Sequence, residues 1–350
     1  MNNGKTSFRI SLLILGLVTI MSGLIACLIG VADINMTDAA KIIVSNIPFI
    51  GTLLPDNTTC GGNAEFIVLH IRLPRVCMAI LSGATLSVCG TVFQSIFRNP
   101  LSDPYTLGVS SGGSLGAATA IVSGLGNSFF GVSGFAFLGA ILTVWLICRM
   151  ASFGNRIHTP TLLLSGVAIT FFCSATLMLL MILHQEQMDK ILFWTMGSFS
   201  AVALRDLAWI SPVVIIGILY IATYSKELNL LLLGNESARN LGVNVTRTVR
   251  LLLLTCTVMV AVLVSQCGVI GFTGLVVPHI IRLLVGSDNR KIIPFSIFGG
   301  AIFMILTDTL CRVILSSGEL PVGSLTAFIG APFFIFLLYR TLRPRTVSFH

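Results

Sequence analysis

Charge is scarce in this 350-residue chain: Asp, Glu, Lys and Arg make up 10% of it, and only 13 residues are acidic. Soluble domains carry roughly 25% charged residues, so a fold wetted on every side is excluded. Catalytic signatures are missing as well. Neither HExxH nor GxSxG occurs, and Gly4-Lys5-Thr6, which ends like a phosphate-binding loop, has no room upstream for that loop's first glycine. His184 and Glu186 share a short loop, but a lone pair falls short of the ligand count of a metal site. No CxxC pair is present among the nine cysteines, which lie almost entirely inside apolar runs and read as small buried hydrophobes. Cys60, in a polar stretch, is the exception. No nucleophile, metal set or acid–base pair stands out in the apolar runs, which disfavours a membrane-embedded enzyme.

Apolar length is what the chain does have. Hydrophobic residues account for 55% of it, and mean hydropathy is +0.97. A helix needs about 20 apolar residues to cross a bilayer, and about ten segments qualify. They are 8–32, 74–96, 106–124, 130–150, 160–183, 204–224, 248–267, 269–285, 292–315 and 322–340. The expectation is an all-α polytopic membrane protein, a single domain over residues 1–350. Gly271, Gly274 and Pro278 interrupt the segment 269–285, so a count of nine stays open. The first run continues past Cys27 to Ala32, beyond the roughly 7–15-residue core of a signal peptide, and reads as an uncleaved span.

Basic residues alternate between loops, so the net charge of +8 is not a nucleic-acid footprint. With the N-terminus in the cytoplasm and ten alternating spans, fifteen of the 21 Lys and Arg residues fall on the cytoplasmic side. That bias predicts cytoplasmic termini at both ends.

Few residues carry chemistry inside the spans. Asp308 has Arg312 four positions on, hence on the same helical face. An ionisable group at that depth is either a proton relay or a neutralised packing residue. The loop 225–250, SKELNLLLLGNESARNLGVNVTRTVR, holds a short helix with Asn235 as N-cap, Glu236 in its first turn and Gly242 as a left-handed terminator. About two turns of helix are unstable alone, so this one needs a docking partner or the rest of the chain. Gly108, Gly112 and Gly116, like Gly268, Gly271 and Gly274, read as packing and hinge positions. Their recurrence in the two halves suits the internal repeat common among transporters.

Five blocks in fixed order then carry a resemblance: IRLPR from Ile71, GATLSVCGTVFQSIFRNPLSDPYTLGVSSG from Gly83, LGNESARNLGV from Leu233, GVIGFTGLVVPHIIRLLVGSDNR from Gly268 and GELPVGSLTAFIGAPFFIFLL from Gly318. From about Val68 to Arg340 the chain resembles a permease subunit of the FecCD type. These belong to the type II ATP-binding-cassette importers of ferric siderophores, haem and cobalamin. The resemblance implies a second copy of the chain and two ATPase subunits on the cytoplasmic side. It further implies a substrate-binding protein on the outer side, all in a bacterial or archaeal cytoplasmic (inner) membrane. ATP and Mg would sit on the ATPases and no cofactor on this chain. Asn235, Glu236, Ser237, Ala238, Arg239, Leu241 and Gly242 match the family's coupling helix. Arg72, Arg75 and Arg312 match outer-face arginines that meet acidic residues of the binding protein. Thr159 and Pro160 match a cytoplasmic gate, with Pro160 departing from the small hydroxyl residue of some relatives. Gly166, Thr170 and Ser174 recur every four residues along that helix and either line a pathway or serve helix packing. The expected cargo is a ferric siderophore, with cobalamin or haem as alternatives. A rival from another class is an ion-coupled transporter using Asp308.

Overall fold

Apolar runs of this length can satisfy their backbone groups inside a bilayer only as helices or closed barrels, and this chain forms helices. A computed structural model describes residues 2–30, 34–45, 62–127, 131–153, 156–157, 159–315 and 318–342. The first half comprises α1 (Asn2–Leu28), α2 (Met36–Ser45), α3 (Gly62–Phe66), α4 (Leu73–Phe97), α5 (Val109–Val122), α6 (Gly131–Ala151) and α7 (Thr159–Leu183). The second comprises α8 (Met188–Thr195), α9 (Leu204–Thr223), α10 (Ser225–Leu232), α11 (Asn235–Asn240), α12 (Val245–Cys267), α13 (Thr273–Val285), α14 (Asn289–Val313) and α15 (Val322–Leu342). Two strands of two residues each, β1 (Ser152–Phe153) and β2 (Arg156–Ile157), pair between α6 and α7.

Among the described residues, seven helical stretches are long and apolar enough to cross a membrane. The shorter apolar helices α5, α13 and α15 complete the ten segments read from the sequence. Before the second span lie α2 and then α3 and a π-helical turn, Ile67–Arg72, that run directly into α4. Cys60 lies outside the described residues.

The central helices are α4 and α12, while α1, α6, α7 and α9 keep apolar side chains such as Leu13, Leu142, Phe171 and Ile216 on the outside. Lipid tails are as apolar as leucine, so expulsion of water does not drive these helices together. Close backbone approach does, and it needs small residues. Gly83 of α4 meets the backbone of Gly300 on α14, and Gly90 of α4 meets that of Gly274 on α13. Gly112 and Gly116 of α5 pack in the same way against Gly139 and Phe135 of α6. Gly108 serves the chain differently, turning it at a φ of +68° into α5.

Two of the apolar helices are short because each is preceded by irregular backbone. A 3-10 turn, Pro104–Leu107, leads into α5, and residues 268–272 lead into α13, which explains why the segment 269–285 reads as interrupted. The two irregular stretches meet: Ile270 N–H donates to Tyr105 Oη at 3.3 Å. Non-helical backbone at membrane depth is tolerated where protein covers it, and each of these stretches covers the other.

Because Gly90 touches backbone, a larger residue there has no flexible neighbour to displace. Gly90→Val is expected to destabilise the protein by about 1–3 kcal/mol or more, seen as a lower melting temperature in detergent. Gly271→Ala, where an added Cβ meets nothing within 4 Å, should leave the melting temperature unchanged.

Candidate functional site

At one end of the bundle three arginines converge from separate elements. Arg72 closes the π-helical turn, Arg75 lies in the first turn of α4 just after Pro74, and Arg312 lies near the end of α14. These are the arginines matched to docking, and all three are buried within this chain, with exposures of 4%, 3% and 4%. Arg72 Nη1 donates to the carbonyls of Cys27 (3.2 Å) and Leu28 (3.0 Å). Arg312 Nη1 donates to those of Ala26 (3.0 Å) and Ile29 (2.6 Å). The last carbonyls of α1 have no partner within their own helix, and they carry the negative end of its dipole. Two guanidiniums therefore cap α1.

Asp308, 1% exposed, holds the centre. Arg75 Nε donates to its Oδ1 at 2.8 Å, and Arg312 Nε lies 3.2 Å from its Oδ2. Arg75 also reaches outward, with Nη1 2.6 Å from Glu319 Oε2. A carboxylate between two guanidiniums is the neutralised arrangement rather than a member of a proton chain. The helical spacing of Asp308 and Arg312 was visible in the sequence. Arg75, 233 residues from Asp308, was not connected to it.

The opposite end carries α10 and α11. Gly234, at a φ of +111°, takes the N-cap position of α11, so Asn235 is the first helical residue and makes no capping bond. Gly242, at a φ of +87°, ends the helix as expected. Its N–H donates to Arg239 O (2.9 Å) and that of Val243 to Ala238 O (3.0 Å), the paired closure that satisfies the final carbonyls. Ala238 is fully buried and roots the helix, whereas Glu236, Ser237, Arg239, Leu241 and Gly242 are exposed and Asn235 is half-buried.

Behind α11, α10 is tied to the bundle by bonds the sequence did not announce. Asn229 Nδ2 donates to Asp288 Oδ1 (2.6 Å), and Asn229 Oδ1 accepts from Asn289 N–H (2.7 Å). Ser95 Oγ of α4 donates to Asn289 Oδ1 at 3.3 Å. Asp288 caps α14 by accepting from Arg290 N–H (3.0 Å). Burial pushes the Asp288 carboxyl up, but the Asn229 and Arg290 donors and the charges of Arg290 and Lys291 outweigh it and leave the group below its ordinary value. A lowered native pKa stabilises above the unfolded value, so this anchor should hold at neutral pH and weaken on acidification below about 4.

The residues matched to a gate and pathway all lie on α7. Thr159 opens α7 and Pro160 is exposed in its first turn. Gly166 packs against the Thr106 carbonyl and Thr170 lies beside Gly108, both on the turn before α5, while Ser174 is exposed. A pocket of about 410 Å³ opens at the end that holds the arginines, among Lys190, Trp194, Ser198, Gln266 and Glu319.

Glycine-packed spans, two interrupted helices meeting inside the bundle and a rooted but exposed surface helix define a polytopic transport permease. The comparisons give its family. The model of the FecCD transport family matches residues 17–340. The chain is 38% identical over 314 residues to the cobalamin import system permease BtuC of Halobacterium salinarum, covering 89% of this chain and 84% of that one. It is 37% identical over 303 residues to the hemin transport system permease HmuU of Yersinia pestis, covering 83% and 88%. A solved inward-facing ABC transporter of the metal-chelate type superposes with a TM-score of 0.80 at 30% identity, over 95% of this chain and 99% of that one. The chain belongs to the FecCD transport family and is a permease of the type II ABC importers.

Removing Asp308 would leave two buried guanidiniums without their shared counter-charge. Asp308→Ala is expected to cost about 3–5 kcal/mol, read as loss of monodisperse protein after detergent extraction. A variant that keeps the wild-type melting temperature would contradict the central role of this carboxylate.

Proposed function

We propose that the chain forms the membrane pathway of an ATP-driven importer that carries a bulky metal chelate across a bacterial or archaeal cytoplasmic (inner) membrane. The complete assembly pairs two copies of this chain with two ATPase subunits and an outer substrate-binding protein. ATP and Mg stay on the ATPases. Ferric siderophore is the cargo the motifs suggest, and the names of the cobalamin and hemin relatives favour those chelates as the second reading.

The observation that carries this proposal is the rooted, solvent-facing α11. Its exposed side chains offer a surface to the ATPase, with Leu233 and Leu241 as apolar anchors, 65% and 60% exposed. Motion of the ATPase pushes α11, α10 moves with it, and Asn229 passes the displacement to the start of α14. The packing of α14 on α4 then carries it to the far end. In this reading α10, α11 and both termini are cytoplasmic, as the distribution of basic residues supports. Thr159 and Pro160 gate the cytoplasmic mouth, and Gly166, Thr170 and Ser174 border the route once a second copy is in place. The binding protein docks over Arg72, Arg75 and Arg312, reaching them by way of Glu319, whose side chain is 36% exposed.

Native purification with mass determination tests the assembly: two copies with two ATPases are expected, and a lone chain would redirect attention to ion coupling. Gly242→Pro tests the coupling. Proline requires a φ near −65°, so a residue at +87° cannot accept it without undoing the end of α11. Uptake should be abolished at normal membrane abundance, and normal uptake would sink the assignment. Asn229→Ala should leave ATP hydrolysis running while transport per ATP falls.

A further inference from the structure

One member of the outer charge cluster differs from the rest. Arg72, Arg75, Arg312 and Asp308 are at most 4% exposed, whereas the side chain of Glu319 is 36% exposed. Arg75 and Arg312 face Asp308, and Arg75 faces Glu319 as well. Arg75 joins the buried part of the cluster to Glu319. Nε is committed to Asp308 and Nη1 to Glu319, while the buried Nη2 has no hydrogen-bond partner among the described residues. A guanidinium fork is shaped to grip a carboxylate through two parallel bonds, yet Glu319 engages a single nitrogen of it.

The residue before Glu319 stands in open space. An added Cβ at Gly318 meets nothing within 4 Å, and Leu320 N–H is held to Cys311 O at 3.2 Å. Glu319 also borders the outer pocket beside Lys190, Trp194 and Ser198. It is thus the side chain that links the buried cluster to the pocket mouth.

We infer that Glu319 is a displaceable stand-in for a partner's carboxylate on Arg75. The inference rests on the docking of an outer binding protein proposed above. An acidic side chain of that protein replaces Glu319 and takes Nη1 together with the vacant Nη2. A partly exposed ion pair holds its place only up to about five-fold in an equilibrium constant, so a bidentate competitor can displace it. The released Glu319 carboxylate then stands at the pocket mouth, and docking changes the charge of the entrance at the moment cargo is delivered. Asp308 keeps its own bond to Arg75 throughout, so the seal on α1 survives the exchange.

The test uses the full transporter in lipid nanodiscs and the binding protein recovered with the native complex. Phenylglyoxal, which modifies accessible guanidiniums, is the probe, and modification of Arg75 is read by mass spectrometry. Glu319→Ala should speed modification of Arg75 about three-fold or more and tighten binding of the binding protein by up to about five-fold. Glu319→Gln, which keeps the shape and removes the charge, should tighten binding in the same direction. Bound binding protein should protect Arg75 in the wild type and in both variants. Unchanged reactivity and affinity in both variants, with protection intact, overturns the exchange and leaves docking standing. Absence of protection in the wild type overturns docking itself and the exchange with it.

Discussion

Asp308 is the carboxylate on which one end of the molecule depends. It sits 1% exposed between Arg75 of α4 and Arg312 of α14, and those arginines lead on to Glu319 and to the end of α1. A charge buried in this way adds little net stability, since its desolvation offsets most of the attraction. Its effect is on arrangement. Sliding α4 along α14 would part Arg75 from Asp308 and leave a buried guanidinium without that counter-charge, which is costly. Buried ionic groups elsewhere are known to fix register, and the geometry here is suited to that role.

Between the two ends, α4 and α14 touch backbone to backbone at Gly83 and Gly300. Close-packed interiors are poorly compressible, and a contact without intervening side chains has little to yield. The far end of the pair is pinned by Ser95, Asn289, Asp288 and Asn229. The result is an antiparallel beam with polar fasteners at both ends. One fastener holds the helices that an ATPase would push, and the other holds the arginines nearest the pocket. For a permease that must convert a push on one face into access at the other, rigidity along this line matters more than added stability. Flexibility is better placed at the interrupted helices α5 and α13, whose irregular approaches meet at Tyr105 and Ile270. Broken helices facing one another are a recurrent device in transporters.

Much of the architecture was legible in the residues. The ten apolar segments were read close to their observed limits because hydropathy over about 20 residues is a local property. The glycine ladder of α5 and the left-handed end of α11 at Gly242 followed from the same kind of local rule. Local rules also misplaced a residue: Asn235 has the chemistry of an N-cap, but Gly234 adopts a conformation open to glycine and takes the position. The spacing of Gly166, Thr170 and Ser174 left packing and pathway undecided. Gly166 and Thr170 lie against the 104–108 turn, a contact that no local rule places.

The sequence alone determined that this is a many-spanned helical membrane protein of a recognisable transport family, where its helices run and which short helix stands outside the bundle. These properties depend on residues near one another in the chain, where apolar length, glycine spacing and turn chemistry act. The tertiary structure alone decided what the arginines do. Arg72, Arg75 and Arg312 carry the same charge and looked like a set of surface contacts. Folding brings the unsatisfied end of α1 and a carboxylate 233 residues away within reach of them. A guanidinium that leaves water must find such partners, and their positions are known only once distant helices have packed.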